Sequence, residues 1–394
     1  MFNNFTQENR RNYILISMVV ALKFAAYSFL FLLPLYIKDL GGDPIAIGNI
    51  LGIVVLPVVI ISPLIGNLLN KYGPKKLIII GLHIVLTSFI IGLFVRNYKF
   101  FYLTQLIQGV GHTLVFMPAI PYLITIIPEK NRVQGLAFFT AFLQLGNAIG
   151  PFVGERAIAK YGSFSTLFIG AIVFTLISRI LIHFVKDKKV SEEKAEENLQ
   201  PKPFKLFKML KDRQTTVYFM LTFVLGSCFG LIMNFQAVFV EQKGLNVGLY
   251  ISVSMLAVAF SRIFLSNLAD RLNKKVVVIV TFLVMIASIV YFSNITTTMD
   301  MIISGILFGL SFSCIFPTIT AILVDHLKLE YRSKGISINN MLYDAGFYIP
   351  NFIGGIIAQY FGYERLFLWM AGIAFLTLIL FAVSGHKRKV VENY

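Results

Sequence analysis

The sequence predicts an all-α, polytopic membrane protein with twelve transmembrane helices in two pseudo-symmetric bundles of six. Of its 394 residues, 57% are hydrophobic and only 14% are charged, and the mean hydropathy is +0.77. Soluble domains have about 25% charged residues, so this composition excludes cytosolic enzymes, disordered chains and disulfide-rich secreted domains. Two further observations support the prediction: a series of long apolar runs, and a weak repeat of the first half of the chain in the second.

Each apolar run is long enough to cross a membrane as a helix. About 20 residues span a hydrocarbon core of roughly 30 Å, and twelve runs of about this length follow one another. Turn-forming residues separate them, most clearly in segment 38–44, which holds two glycines and a proline. The predicted spans are 13–37, 44–69, 77–95, 101–127, 134–157, 163–185, 215–240, 246–269, 276–293, 301–325, 335–360 and 364–385.

One long polar segment divides the spans six and six. It predicts an N-terminal bundle over 1–185, a cytoplasmic linker over 186–214 and a C-terminal bundle over 215–394. Within the linker, segment 203–211 alternates lysines with large apolar residues, a pattern typical of an amphipathic helix on a membrane surface.

The net charge of +16 is explained by the arrangement of the loops. With the N-terminus placed inside, 25 of the 35 basic residues lie on the inner side and only seven lie in outer loops. Basic residues collect in the cytoplasmic loops of membrane proteins. We therefore expect both termini in the cytoplasm, and the positive charge requires no nucleic-acid partner.

Three pairs of similar segments recur in the same order in the two halves. The pairs are 118–135 with 317–335, 151–162 with 350–362, and 66–76 with 266–275. A parallel duplication of six helices places a substrate cavity between the halves, near the middle of the bilayer.

These segments resemble the major facilitator superfamily over essentially the whole chain. The loop after the second span is similar to the family's G-x-L-x-D-[RK]-x-G-[RK]-[RK] signature, and the fifth span is similar to the G-x-x-x-G-P-x-x-G-G motif of drug/proton antiporters. The resemblance is greatest to bacterial twelve-helix multidrug and metabolite efflux transporters, and implies a location in the bacterial cytoplasmic membrane. The residues that carry it are Gly66, Lys71 and Gly73 in the first loop, Asp270 and Arg271 in its second copy, and Gly146, Gly150, Pro151 and Gly154 in the fifth span.

The chain departs from these motifs at three positions. Asn70 stands where the loop signature has Asp. The latch that this loop forms between the halves of relatives is therefore assigned to Asp270 and Arg271, with a simple basic anchor as the alternative. Gln105 stands where efflux relatives carry Arg. Glu155 replaces the last glycine of the fifth-span motif and, at the outer end of that span, is expected to be solvated.

The residues of these motifs have physical roles that explain their positions. Gly66 lets two helices approach closely, Gly73 permits a tight turn, and Lys71 holds the loop at an anionic leaflet. The three glycines of the fifth span recur every four residues and give one smooth face, and Pro151 removes a backbone hydrogen bond between them. This pattern favours an interface that slides or bends during transport, with plain tight packing as the alternative.

A charged side chain deep in a membrane helix is costly and indicates a function. Lys23 lies ten residues into the first span, which lines the cavity in the resembled fold. We expect it either to bind an anionic group of the substrate or to pair with Asp344 in the eleventh span; a purely structural ion pair is the alternative. Arg262 either extends to the cytoplasmic surface or joins a cytoplasmic gate with Asp344.

Polar stripes on two otherwise apolar helices are typical of a wet cavity. The side chains that we expect to contact substrate or protons are Lys23, Tyr27, Gln105, Gln108, His112, Asn234, Asn340 and Asp344. An imidazole titrates near neutral pH, so His112 is a candidate proton carrier, with a hydrogen-bonded packing role as the alternative. Tyr27 offers an aromatic face for flat or cationic ligands.

We therefore predict a secondary active transporter that exports amphipathic small organic molecules by alternating access, in exchange for protons. The scarcity of carboxylates on the cavity helices keeps a second hypothesis open, an exporter or facilitator of an anionic or zwitterionic metabolite such as a siderophore-like chelator. A membrane enzyme or receptor is a third, but the sequence contains no P-loop and no zinc-type His/Glu spacing. We expect a monomer in the lipid bilayer, without cofactor or metal.

Overall fold

Helices make up the regular structure of the residues described in the computed structural model, which are 5–187, 212–264 and 272–384. Within these ranges, eleven helices are long and apolar enough to cross a membrane. Those of the first half are α1 (Gln7–Asp39), α2 (Pro44–Tyr72), α3 (Pro74–Phe94), α4 (Tyr98–Ile126), α5 (Arg132–Tyr161) and α6 (Ser165–Phe184). Those of the second half are α7 (Arg213–Gln242), α8 (Val247–Phe264), α9 (Lys274–Ser293), α10 (Thr298–His326) and α12 (Tyr363–Val383).

The remaining predicted span, 335–360, is present as a broken helix. This helix, α11, consists of Leu329–Tyr348 and Pro350–Phe361, joined at Ile349. The break follows from Pro350, whose ring nitrogen has no hydrogen to donate to the preceding turn. Polar residues such as Asn340 and Asp344 make its first segment less apolar than most of the other helices, as the predicted stripe requires.

Short polar residues and glycines set the helix ends. The side chain of Asp43 accepts a hydrogen bond from the Ala46 amide at 2.7 Å and so begins α2, and Asp212 begins α7 in the same way through the Thr215 amide at 2.8 Å. Gly73 lies between α2 and α3 with a φ of +73°, which an L-residue rarely adopts. The predicted tight turn is therefore confirmed.

The two halves repeat the same packing scheme. Helix α1 packs against α4, α5 and α6, and α7 packs against the equivalent helices α10, α11 and α12. Likewise α3 packs against α4 and α6, as α9 does against α10 and α12. The predicted fold class is confirmed. Most of the linker 186–214, its amphipathic segment 203–211, and Asp270 and Arg271 lie outside the described residues, so their predicted roles stay predictions.

Two pairs of helices make the most extensive contacts between the halves. Helix α5 packs along α8, and the first part of α2 packs along the second part of α11. These contacts leave α1, α4 and α11, the helices that carry the predicted polar residues, close to the interface between the halves.

Candidate functional site

Lys23 and His112 form the centre of the site in the N-terminal half. Lys23 is fully buried on α1, and its ammonium contacts the Nδ1 atom of His112 on α4. Because an ammonium has only hydrogen-bond donors, His112 accepts at Nδ1 and carries its own proton on Nε2. The expected ion pair of Lys23 with Asp344 is not formed among the described residues, since His112 of the same half is the partner that Lys23 reaches.

Aromatic rings enclose this pair. The Lys23 ammonium lies 4.7 Å from the ring centre of Phe24 and 5.1 Å from that of Tyr27. The His112 ring lies 5.9 Å from that of Phe116. Aromatic faces attract cations, so these rings stabilise a positive charge that no carboxylate among the described residues neutralises. The N-terminal half therefore presents a cationic site with aromatic walls.

Two buried amides extend the site along α4. Gln105 and Gln108 are 2% and 0% exposed, and they share a helix face with His112, as predicted. The Oε1 atom of Gln105 and both polar side-chain atoms of Gln108 have no hydrogen-bond partner in the described part of the chain. A buried polar group without a partner costs about 1–3 kcal/mol, so these amides are poised to bind a ligand or water.

The polar stripe of α11 lies in the C-terminal half, and its Tyr348 contacts α1 and α2. Asn340 is exposed and Asp344 is half-buried. One helical turn further, Tyr348 packs against valines of α2, and its phenol interacts with that of Tyr27. Among the described residues the Asp344 carboxylate has neither a hydrogen bond nor an ion pair. The fold therefore brings the two predicted stripes to one interface.

Asn234 and Arg262 have other surroundings than predicted. Asn234 is buried on α7 and donates to Asn351 of α11 at 3.2 Å, which ties these two helices together. The Arg262 guanidinium on α8 lies near Tyr343 and Cys314. It forms no ion pair with Asp344 in the described ranges. Tyr343, near Arg262, lies on the face of α11 that meets α10, and Asp344, the next residue, points in a different direction from the helix axis. The predicted cytoplasmic gate of Arg262 with Asp344 is absent from this state.

The glycine face of α5 packs within its own half. A Cβ added to Gly146 would lie 2.3 Å from the Ala21 carbonyl oxygen, and one added to Gly150 would lie 2.2 Å from the Ser28 Oγ. Gly154 likewise meets Leu32 of α1. These glycines let α1 and α5 approach closely, whereas another face of α5, which includes the carbonyl of Pro151, meets the C-terminal half.

That second face forms what we call the outer seam: Ala148, Pro151 and Glu155 of α5 against Val247, Gly248 and Ser252 of α8. The Ser252 hydroxyl donates to the Ala148 carbonyl at 2.8 Å. The Glu155 carboxylate accepts from the backbone amides of Val247 at 2.7 Å and Gly248 at 3.0 Å. The expectation that Glu155 is solvated is wrong, because the free amides at the start of α8 attract a carboxylate. No sequence signal links residues 92 positions apart in this way.

Further contacts close the same end of the molecule. The Lys38 ammonium at the end of α1 forms an ion pair of 2.5 Å with Glu241 at the end of α7. Between α2 and α11, a Cβ on Gly48 would lie 2.2 Å from the Asn351 carbonyl oxygen. All these contacts lie on the predicted outer side, so the two halves are held together there.

The first loop motif lies at the opposite end. Gly66 is buried near the end of α2. The ammonium groups of Lys71 and Lys76 each lie 5.2 Å from the ring centre of Tyr72. These contacts fix the loop beside the predicted cytoplasmic surface.

Comparison with known families decides the class of this protein. The sequence model described as Major Facilitator Superfamily matches residues 14–273 and again 246–392. The chain belongs to this superfamily. It is a multi-pass membrane transporter and not an enzyme, as the sequence predicted.

Similar proteins include bacterial exporters. The staphylopine export protein of Staphylococcus aureus is 23% identical over 367 residues, which cover 91% of this chain and 90% of that protein. The multidrug resistance protein MdtG of Escherichia coli is 23% identical over 400 residues, covering 97% of this chain and 96% of that protein.

Solved structures share the fold. The nucleoside transporter NupG superimposes with a TM-score of 0.79 at 14% identity, covering 94% of this chain and 98% of that chain. The human organic anion transporter MFSD10 (TETRAN) gives a TM-score of 0.66 at 14% identity, covering 95% of this chain and 100% of that chain. At these identities the likeness concerns the fold alone.

Proposed function

We propose that this transporter exports amphipathic small organic molecules by alternating access in exchange for protons. The observation that supports this most is a polar, aromatic-walled interface between the halves, with a closed outer seam beside it. Substrate would enter from the predicted cytoplasmic side and leave once the seam opens. The names of both similar bacterial proteins, an export protein and a multidrug resistance protein, agree with this direction.

His112 and Asp344 are our candidates for proton coupling. His112 uses Nδ1 to accept from Lys23, so a proton on Nδ1 would end this contact, place a second positive charge beside Lys23 and repel a bound cation. Asp344 lies across the interface with no ion-pair partner among the described residues. Binding on one half and protonation on the other would then be linked through the same interface.

Transport in proteoliposomes tests this proposal. We expect ethidium, a lipophilic cation, to move against its gradient when a pH gradient is imposed, and to stop when the gradient is collapsed. Asp344→Asn and His112→Asn should remove the pH dependence, whereas Lys130→Gln, an exposed change in a loop, should not. Transport that ignores the pH gradient would contradict proton exchange.

A zwitterionic metabolite is the second candidate substrate. Among the described residues, Lys23 has no carboxylate partner and Asp344 has no basic partner, so the halves offer opposite charges across one interface. A molecule that carries both a carboxylate and an amine could pair with Lys23 through the first group and with Asp344 through the second. A thermal-stability screen discriminates the candidates: amino-carboxylate chelators should stabilise the purified protein more than ethidium does, and Lys23→Met should abolish that preference.

We also propose that the protein works as a monomer in the bacterial cytoplasmic membrane, with both termini in the cytoplasm. The excess of basic residues on the side of the termini supports this orientation. Cysteine accessibility at Asn97, in the loop between α3 and α4, tests it, since this residue should react with an impermeant thiol reagent from outside.

A further inference from the structure

A cationic cluster lies on the outside of the N-terminal half, on a pair of helices that does not form the substrate site. It consists of Lys75 and His83 on α3 with Arg179 and His183 on α6. Both histidines are exposed, and Lys75 and Arg179 are half-buried. Helices α3 and α6 pack against each other, so the cluster occupies the groove between them.

The contacts within the cluster leave its charge unneutralised. The Nδ1 atom of His83 lies 2.9 Å from the Ile79 carbonyl and must donate its proton there, so Nε2 is free to accept from the Nε of Arg179 at 3.2 Å. The Nη1 of Arg179 contacts Nε2 of His183. An arginine is always charged, so both histidines serve it as neutral acceptors.

A second positive group adds to this charge. The Lys75 ammonium lies 3.3 Å from the His183 carbonyl, at the end of α6. No carboxylate forms an ion pair with Lys75 or Arg179 in the ranges that the structure describes. The groove therefore carries two positive charges, and three of the five N–H groups of the guanidinium are left to bind an anion.

The cluster lies towards the ends of α3 and α6 that are predicted to face the cytoplasm. Arg179 is five residues before Phe184, the last residue of α6, which is about 7.5 Å along a helix. Its contact with His183 directs the side chain towards that end, as expected of an arginine that reaches for the interface. On the same two helices, Ile80, Leu176 and Ile180 are 36%, 42% and 60% exposed and offer an apolar surface for acyl chains.

We propose that this cluster binds the phosphate of an anionic phospholipid from the cytoplasmic leaflet. The planar guanidinium matches two phosphate oxygens at once, and Lys75 adds a second charge beside it. The acyl chains of the lipid would then cover the exposed apolar residues of α3 and α6. A soluble phosphate could use the charges but not this apolar surface.

Thermal unfolding of the purified protein in detergent tests the proposal. We expect phosphatidylglycerol to raise the unfolding temperature more than phosphatidylcholine, while inorganic phosphate has little effect. In Arg179→Gln the apparent affinity for phosphatidylglycerol should fall roughly five- to tenfold, the loss expected for one basic residue near an anionic surface. The control is Arg156→Gln, a basic residue at the predicted outer end of α5, which should leave that affinity unchanged.

Three results would overturn the proposal: an equal effect of the two lipids, an unchanged affinity in Arg179→Gln, or a full stabilisation by inorganic phosphate alone. If Arg179→Gln does not fold, Arg179→Lys and Lys75→Gln replace it. Arg179→Lys keeps the charge but loses the planar guanidinium, so it should bind the lipid more weakly than the wild type, and Lys75→Gln should also bind it more weakly. An unchanged affinity in Lys75→Gln would then reject the site.

Discussion

The outer seam and the candidate substrate site both lie where the two halves meet, but their polar groups have opposite surroundings. In the seam, the Glu155 carboxylate and the Ser252 hydroxyl are matched by backbone groups at 2.7 to 3.0 Å. In the site, both polar atoms of Gln108 are buried without a partner, and Asp344 lacks an ion pair in the described ranges.

This difference indicates two different tasks. A satisfied polar contact stabilises the state in which it forms, so the seam holds the outer end closed. Buried groups without partners cost free energy until something binds them, which is what a site that awaits its ligand requires.

The largest effect is expected from removing the charge of the site. Lys23→Met should lower transport of an amino-carboxylate chelator roughly 10- to 100-fold, since a hydrogen bond to a charged group contributes about 1.5–3 kcal/mol, and should lower transport of the cation ethidium less. The measurement is the initial rate of uptake into proteoliposomes, with ethidium and an amino-carboxylate chelator as substrates. Lys99→Met, a change of an exposed basic residue in the first turn of α4, serves as the matched control. A rate equal to that of the wild type for both substrates would show that Lys23 is only structural.

A steric change should break the seam without touching the site. A Cβ on Gly248 would lie 2.3 Å from the Pro151 carbonyl oxygen, so Gly248→Val cannot keep α5 and α8 in contact. Spin labels at Asn97 and Thr296, in outer loops of the two halves, should then report a longer distance, measured with Cys228 and Cys314 replaced by serine. Gly372→Val is the comparison, because a Cβ at Gly372 meets no atom within 4 Å. Equal distances in both variants would mean that the seam does not hold the outer end.

Neutralising the carboxylate of the seam is a milder change. Glu155→Gln keeps the size of the side chain but loses the charge at the start of α8. The loss of such a capping interaction costs about 1 kcal/mol, so the closed state should become roughly fivefold less favoured. The same spin labels should show a larger open fraction than in the wild type, whereas Arg156→Gln, at the neighbouring residue, should leave the open fraction unchanged. If Glu155→Gln leaves the distance distribution unchanged, the backbone contacts of the seam suffice alone.

The smallest effect concerns a polar pair within one half, at the start of α7. The Asp212 carboxylate accepts from the Nε2 of His326 at 2.8 Å and from the Thr215 amide. Burial alone would raise the pKa of the Asp212 carboxyl, but its hydrogen bonds with His326 and Thr215 outweigh burial and lower that pKa to about 2. Because the folded pKa lies below the value of about 3.9 in an unfolded chain, the contribution to stability is complete above that value.

This contribution should disappear as the pH falls towards 2. At pH 7, Asp212→Asn should lower the free energy of unfolding by about 1 kcal/mol, the usual cost of a lost helix cap. Thermal unfolding in detergent from pH 7 down to pH 3 should show the difference between variant and wild type shrinking at the acid end. Glu129→Gln, in an exposed ion pair with Arg132, should change little at any pH. A difference that stays constant with pH would rule out the carboxylate as its cause.

How much of the fold was predictable depends on how locally each feature is encoded. The twelve helices follow from runs of apolar residues, and their order predicted the superfamily that the comparisons confirmed. The polar stripes of α4 and α11 were also visible, because residues three, four and seven apart share a helix face. Contacts between helices were not: Lys23 contacts His112 instead of Asp344, and Arg262 lies near Tyr343 without reaching Asp344.

The sequence by itself determined which segments enter the membrane, where the charges of the loops lie and which few polar residues are exceptions in apolar helices. These properties depend on the free energy of placing single residues in lipid or water, which each residue carries with it. Only the tertiary structure decided that Glu155 caps α8 and that the glycine face of α5 packs on α1. Such contacts depend on the rotation and crossing of helices far apart in the chain, because packing of whole surfaces sets them.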